Sequence, residues 1–301
     1  MIRLFFVASS RIADSILTLK FDHFLDPQPD HTYVCFGLGH DREPVDVLQI
    51  YRDHGIDTSN MTVIFDQQLM RQQLLPEFDY YQFSGWIAQQ FFKLLALDQV
   101  NSDRVLIQDC DTFSLIPYQY FDGSTPRYYV IENTTQSQGY YQYVKKFTGQ
   151  ERQTSHCFVT EFMPVLKKDW VALKTHMEQT YGCNWLLAME QVFSADVNPD
   201  NSPPFWFSEY ELLGNLGLQK NPNAGFQFQH RLSLYDDTTS CWWQGHPDYY
   251  TIEEFLKLDN IDKFNCVCIK SSTVVEQENL DPIFNRIMSH ISPLVSTKES
   301  Q

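Results

Sequence analysis

Asp109-Cys110-Asp111 closes an apolar run, Val105-Leu106-Ile107, and sets two carboxylates one residue apart. At the end of a strand, positions i and i+2 point to the same side, so both carboxylates reach one small volume. Like charges that close are costly without a positive partner. A hard divalent cation with oxygen ligands is the usual solution. Asp109 and Asp111 are therefore candidate metal ligands, and such a cation points to phosphate chemistry.

A pair of this kind needs a rigid element beneath it, and the first 115 residues supply a regular alternation. Apolar runs predict strands over 4–8, 32–36, 61–65 and 104–108, and helical periodicity predicts helices over 12–24, 45–54 and 85–97. In the last of these helices Trp86, Ile87, Phe91, Leu94 and Leu95 recur at helical spacing, with Ser84 as the N-cap. Strands alternating with helices imply an α/β fold, with a mostly parallel central sheet and helices on both faces. Ligands of such sheets bind beyond the carboxyl ends of the strands, where Asp109 and Asp111 fall.

The second half is less regular. It predicts strands over 127–131, 157–162 and 264–269, and helices over 167–181, 185–193, 251–258 and 281–289. Ser202-Pro203-Pro204 marks a break, but no repeat or linker divides the chain. The reading is one domain over 1–301: a ligand-binding half at 1–115, a second half at 116–292 and a polar tail at 293–301.

A net charge of −16 argues against sequence-independent attraction to nucleic acid or anionic lipid. Lys145, Lys146, Arg152, Lys167, Lys168 and Lys174 nevertheless form a local excess of cations, as a basic patch or a solvated helix face. The 23 Phe and 16 Tyr residues suit concave surfaces that stack rings or sugars. Seven scattered cysteines read as buried free thiols of a reducing compartment. No signal peptide or membrane span is visible, so the expected location is cytoplasmic, or host cytoplasm for a phage protein.

An apolar strand ending in D-x-D, preceded by an amide-rich helix, resembles the nucleotide-diphosphate-sugar glycosyltransferases of the GT-A fold. The segment Gly85-Trp86-Ile87-Ala88-Gln89-Gln90-Phe91-Phe92-Lys93-Leu94, followed by Asp109-Cys110-Asp111-Thr112, extends the likeness. It looks like the G-W-x-x-Q-Q-x-x-K-L and D-x-D-T arrangement of a little-characterised group of bacterial and phage glycosyltransferase-like proteins. Those proteins also carry S-E-Y-E-x-x-G, matched by Ser208-Glu209-Tyr210-Glu211-Leu212-Leu213-Gly214.

The resemblance implies a GT-A-like single domain with a nucleotide-sugar half, an irregular acceptor region, and a hexosyl- or pentosyltransferase activity. Its donor is a nucleoside-diphosphate sugar, UDP-linked on this reading. Its cofactor is Mn2+ or Mg2+, held by Asp109 and Asp111 against the donor diphosphate. Lys93 and Gln89 share a helix face and are donor-binding candidates, the ammonium for phosphate and the amide for sugar hydroxyls. Ala8, Ser9 and Arg11 follow the first strand, where this fold holds the nucleoside. Glu209 sits behind three aromatics, which raises a carboxylate's pKa and suits a general base. The alternative is a solvated first-turn acid behind a capping Ser208. For a third metal ligand His230 and His246 are available, and the Gly-bearing loop around His246 favours the latter.

A surface glycan is the preferred acceptor, with a hydroxymethylated pyrimidine of phage DNA as the alternative. A haloacid-dehalogenase-type phosphatase also uses D-x-D, but after its first strand. A carbohydrate-binding protein with a structural cation would normally be all-β. The stereochemical outcome and the oligomeric state are left open.

Overall fold

Strand β1 (Ile2–Ala8) is apolar along nearly its whole length, the pattern of a strand covered on both faces. The computed structural model describes residues 1–8, 11–38, 45–73, 85–131, 138–195, 207–235, 249–251, 254, 257, 264, 266–269, 285 and 288–289. After β1 come α1 (Ile12–Lys20), β2 (Leu25–Asp26), β3 (His31–Gly37), α2 (Val47–Asp53), β4 (Met61–Phe65), α3 (Asp66–Gln73), α4 (Gly85–Gln99) and β5 (Arg104–Asp109). Short strands follow: β6 (Thr112–Ser114), β7 (Tyr118–Gln119), β8 (Phe121–Asp122), β9 (Thr125–Pro126) and β10 (Tyr128–Val130). Then come α5 (Gln138–Thr148), β11 (Phe162–Leu166), α6 (Lys167–Tyr181), α7 (Trp185–Ala195) and α8 (Glu209–Lys220). The last described strands are β12 (Phe226–Phe228), β13 (Arg231–Tyr235), β14 (Tyr249–Thr251) and β15 (Cys266–Ile269).

The central sheet has the order β11-β5-β1-β3-β4. Strands β5, β1, β3 and β4 are parallel, and β11 joins the β5 edge antiparallel. Alternate residues of β1 enter opposite cores. Leu4 and Phe6 pack with α4, α6, α7 and α8, while Phe5 and Val7 pack with α1 and α2. The expected α/β class with a mostly parallel sheet is therefore what the chain adopts. A second sheet, β14-β13-β15-β6, begins directly after Asp111.

Two expected elements have different bounds in the structure. The helix expected over 12–24 stops at Lys20, and Asp22–Phe24 forms a short 3-10 turn. There the Asp22 carboxylate accepts from Arg3 at 2.5 and 2.6 Å. The strand expected over 157–162 begins only at Phe162, because Glu161 takes a φ of 60°. Cys157 keeps a single bridge to Ile131. Of the described cysteines, Cys35, Cys110, Cys157, Cys266 and Cys268 are buried thiols, and none of them or Cys183 is in a disulfide.

Candidate active site

Chain order and sheet order part company between β1 and β5. From β1 the sheet grows through β3 to β4, then the chain returns to place β5 on the other side of β1. Such a switch point opens a crevice at the carboxyl ends of the strands. Asp109 ends β5 in register with Phe6 of β1, so it stands at the mouth of that crevice.

The segment after Asp109 is a tight turn held from four directions. The Asp109 N–H donates to the Glu161 carbonyl at 3.1 Å, and the Cys110 N–H donates to the Phe6 carbonyl at 3.0 Å. Thr18 Oγ1 donates to the Cys110 carbonyl at 2.6 Å, and Gln108 Nε2 donates to the Thr112 carbonyl at 3.1 Å. Cys110 sinks its side chain into the α1–α2 core, where burial pushes the thiol pKa well up and keeps it unreactive. The side chains of Asp109 and Asp111 stay partly open, at 15% and 20% exposure.

Each aspartate meets a different cation of the chain. Lys93, on α4, lies 2.7 Å from Asp109 Oδ1 and donates to Oδ2 at 2.8 Å. The same ammonium lies 2.6 Å from Glu209 Oε1 and 4.3 Å from the centre of the Tyr210 ring. Lys93 is 1% exposed and Glu209 is fully enclosed. The contact with Glu209 is a buried ion pair. Arg11, at the start of α1, reaches Asp111 Oδ2 at 3.4 Å and also pairs with Asp14.

Burial and charge set the proton affinities here. Burial lifts the Glu209 carboxyl and the Lys93 ammonium pulls it back, leaving it at about 7. Asp109 is raised by burial and by the Asp111 charge, against the pull of Lys93. Burial works against the charged form of Lys93, but Asp109 and Glu209 outweigh it and raise its pKa. Arg11 behaves alike: burial opposes its charge, and Asp111 with Asp14 more than compensates.

Helix α8 brings Glu209 to this place, and each residue of its first turns has a physical task. Ser208 is the N-cap, accepting from the Glu211 N–H at 3.4 Å. Tyr210 offers its ring to Lys93. Glu211 is also fully buried, and instead of closing a capping box it accepts from the Phe158 N–H at 2.8 Å. Asn215 Nδ2 donates to it at 3.2 Å. Gly214 lies flat on Phe158: a Cβ there would stand 2.4 Å from the ring. Gly217 does the same against Tyr128, so α8 is drawn close to the segment that carries Glu161.

The structure thus brings together Asp109, Asp111, Lys93, Arg11 and Glu209. The expected solvated first-turn acids are instead buried. Glu209 lies behind Lys93, without a face toward solvent, so here it holds the ammonium rather than facing an acceptor hydroxyl. Lys93, expected at a donor phosphate, and Arg11, expected near the nucleoside, are turned onto the aspartates. Gln89 is only half-buried, whereas Gln90 is 1% exposed on the same helix as Lys93. Ala8 is exposed at the end of β1. Ser9 and His246 lie outside the described residues, and His230 is exposed. Sequence reasoning missed Asp14, Glu161 and Tyr210. Only Tyr210 carried a signal, as a member of a recognised motif.

The residues present suit a divalent cation by their charge balance. Among the described residues, Lys93 is shared by Asp109 and Glu209, and Arg11 by Asp111 and Asp14, two carboxylates to each cation. Asp109 Oδ1 is buried without an aligned hydrogen-bond donor, which leaves a lone pair for a ligand bond. No group of three or more His, Cys, Asp or Glu residues forms a closed metal cage among the described residues. Two carboxylates completed by phosphate oxygens and water are a normal magnesium or manganese arrangement.

No curated protein matches this sequence. The profile of a family of unknown function, DUF6492, matches residues 8–291. Among solved structures, the galactosyltransferase LgtC in complex with donor and acceptor sugar analogues is similar at 12% identity, a TM-score of 0.43 and 95% coverage of both chains. Mouse xyloside xylosyltransferase 1 in its apo form is similar at 12% identity and a TM-score of 0.40, over 81% of this chain and 89% of that one. Glucosyl-3-phosphoglycerate synthase from Mycobacterium tuberculosis, in complex with Mn2+, UDP and glucosyl-3-phosphoglycerate, is similar at 9% identity and a TM-score of 0.32, over 62% and 67% of the two chains.

Proposed function

The chain belongs to DUF6492, a family of unknown function, and we infer that within it this protein is a divalent-cation-dependent glycosyltransferase of GT-A type. It moves a sugar from a nucleoside-diphosphate donor, UDP-linked on this reading, to a hydroxyl of a saccharide acceptor. One observation carries this reading. Three motif segments far apart along the chain meet at one ion cluster, through Lys93, Asp109 and Glu209, at the sheet's switch point.

Asp109 and Asp111 are the residues that would hold the cation. When bound, Mn2+ or Mg2+ neutralises the donor diphosphate and makes it a better leaving group. The protein's part is to keep the two carboxylates ionised and aimed. The turn bonds from Phe6, Thr18 and Glu161 fix the backbone of Asp109-Cys110-Asp111. Lys93 and Arg11 hold the side chains and offset their mutual repulsion. Glu209 acts through Lys93, fixing the ammonium from its buried side, and Tyr210 closes the site against water.

A saccharide acceptor agrees with the charges. Lys174 pairs with Asp98, Lys145 pairs with Glu151, and Lys167 donates to the carbonyls of Leu97 and Asp98 at the end of α4. Lys167 and Lys174 are thereby engaged by the end of α4 and Lys145 by a surface carboxylate, which lowers the charge offered to a phosphate backbone. No described helix is long and apolar enough to cross a membrane.

The test is a screen of nucleotide sugars for Mn2+-dependent release of the nucleoside diphosphate, since donor hydrolysis needs no acceptor. At least one donor is hydrolysed, and Asp111→Ala abolishes the release. Failure to hydrolyse or bind any nucleotide sugar overturns the reading.

A further inference from the structure

We infer that Lys93 is a tethered competitor of the divalent cation for Asp109, and that Glu209 is the second carboxylate onto which the ammonium withdraws when the cation binds. The inference rests on the reading of Asp109 and Asp111 as metal ligands, and goes beyond it by assigning Lys93 and Glu209 to control of metal affinity.

The geometry is that of a shared charge. The Lys93 ammonium spans both oxygens of Asp109, at 2.7 and 2.8 Å, and lies 2.6 Å from Glu209 Oε1. A cation that takes an Asp109 oxygen comes to rest beside an ammonium already 2.7 and 2.8 Å from the two oxygens of that carboxylate, so the two positive charges repel and compete for it. Lys93 cannot leave for water, because it is 1% exposed and is enclosed by the rings of Phe6 and Tyr210. Its second anionic partner is Glu209, fully buried and already 2.6 Å away. That carboxylate keeps the displaced ammonium paired, which avoids the large cost of an isolated buried charge. Lys93 and Glu209 are thus positioning residues for the metal site, with Lys93 weakening cation binding and Glu209 relieving that weakening.

Mn2+ binding to the full-length chain tests this, read from the loss of the aqueous Mn2+ paramagnetic resonance signal with UDP present. The deciding variant is the double substitution Lys93→Met with Glu209→Gln, which removes one charge of each sign and leaves the cluster's net charge unaltered. Competition predicts that it binds Mn2+ about tenfold tighter than the wild type, a change equivalent to about 1.4 kcal/mol. Glu209→Gln alone binds about tenfold weaker, because the ammonium loses its second anchor and stays on Asp109. A merely structural role for the pair moves neither affinity in these opposite senses. Thermal melts check that both variants are folded.

If wild type binds Mn2+, Asp111→Ala does not, and the double variant binds no tighter than wild type, the competition is refuted and the metal site stands. Unweakened binding by Glu209→Gln refutes it equally, and needs no folded double variant. Absence of Mn2+ binding by wild type, or unchanged binding by Asp111→Ala, removes the metal-site reading itself.

Discussion

Lys93 Nζ lies 2.6 Å from Glu209 Oε1, and both side chains are buried. A lysine on α4 and a glutamate opening α8 therefore form an interior ion pair whose third member is Asp109. This relationship ties the D-x-D turn to the helix that follows in the second half of the chain. It makes the geometry of the candidate metal ligands depend on how α8 is packed.

Lys93→Ala leaves Asp109 and Glu209 close together without their shared counter-ion. Breaking a buried ion pair on one side costs roughly 3–5 kcal/mol. Urea unfolding should show a loss of this size, and combining Lys93→Met with Glu209→Gln should recover a large part of it. A loss below about 1 kcal/mol, the range of an exposed pair, contradicts the buried placement.

Gly214→Ala drives a methyl group into the Phe158 ring, which would lie 2.4 Å from it. Overpacking of this kind costs about 1–3 kcal/mol, set against about 1 kcal/mol gained in helix propensity. The expected net is a destabilised protein, and Phe158→Leu in the same chain should restore most of the loss. A double-mutant cycle with no coupling between the two positions would show that α8 does not approach Phe158 this closely.

Glu211 makes stability fall with rising pH. Burial lifts its carboxyl from 4.5 to about 7 in the folded chain. Between those values the folded state binds more protons than the unfolded state, so stability declines as pH rises through the window. The penalty is absent below pH 4.5 and complete above about 7. Its size is on the order of 3 kcal/mol. The melting temperature of Glu211→Gln relative to wild type should therefore rise between pH 5 and pH 8. A difference that stays flat with pH contradicts the buried, ionisable placement.

With Lys145, Lys167 and Lys174 already paired or bonded within the chain, association with duplex DNA should be weak at physiological salt. Fluorescence anisotropy with labelled duplex measures it. Tight binding that falls steeply with salt would point to phosphate contacts and favour a DNA acceptor.

Much of the site was legible because its residues come in compact segments. Asp109 and Asp111 follow an apolar strand, Lys93 sits on a periodic helix, and Ser208–Gly214 is a dense polar motif. What could not be read was the pairing between them. Ser208 followed by Glu209 and Glu211 looks like the solvated first turn of a capped helix, and only tertiary packing shows both acids buried. The closeness that buries them comes from Gly214 and Gly217, whose missing side chains give no positive signal in a sequence. Glu161 is a similar case: its left-handed backbone breaks what reads as a continuous strand. The parallel sheet was easier, since β1, β3 and β5 are apolar runs with helices between them. Helix α5 gives a weak sequence signal because glutamines, a glycine and two lysines keep its apolar content low.

Thermal stabilisation by UDP plus Mn2+, compared between wild type and Asp111→Ala, decides whether the D-x-D turn holds a metal–diphosphate donor. A donor site built on Asp109 and Asp111 predicts a rise in melting temperature that needs both UDP and Mn2+ in the wild type and is absent in the variant. An equal rise in both proteins, or no rise in either, contradicts a metal–diphosphate site at this turn.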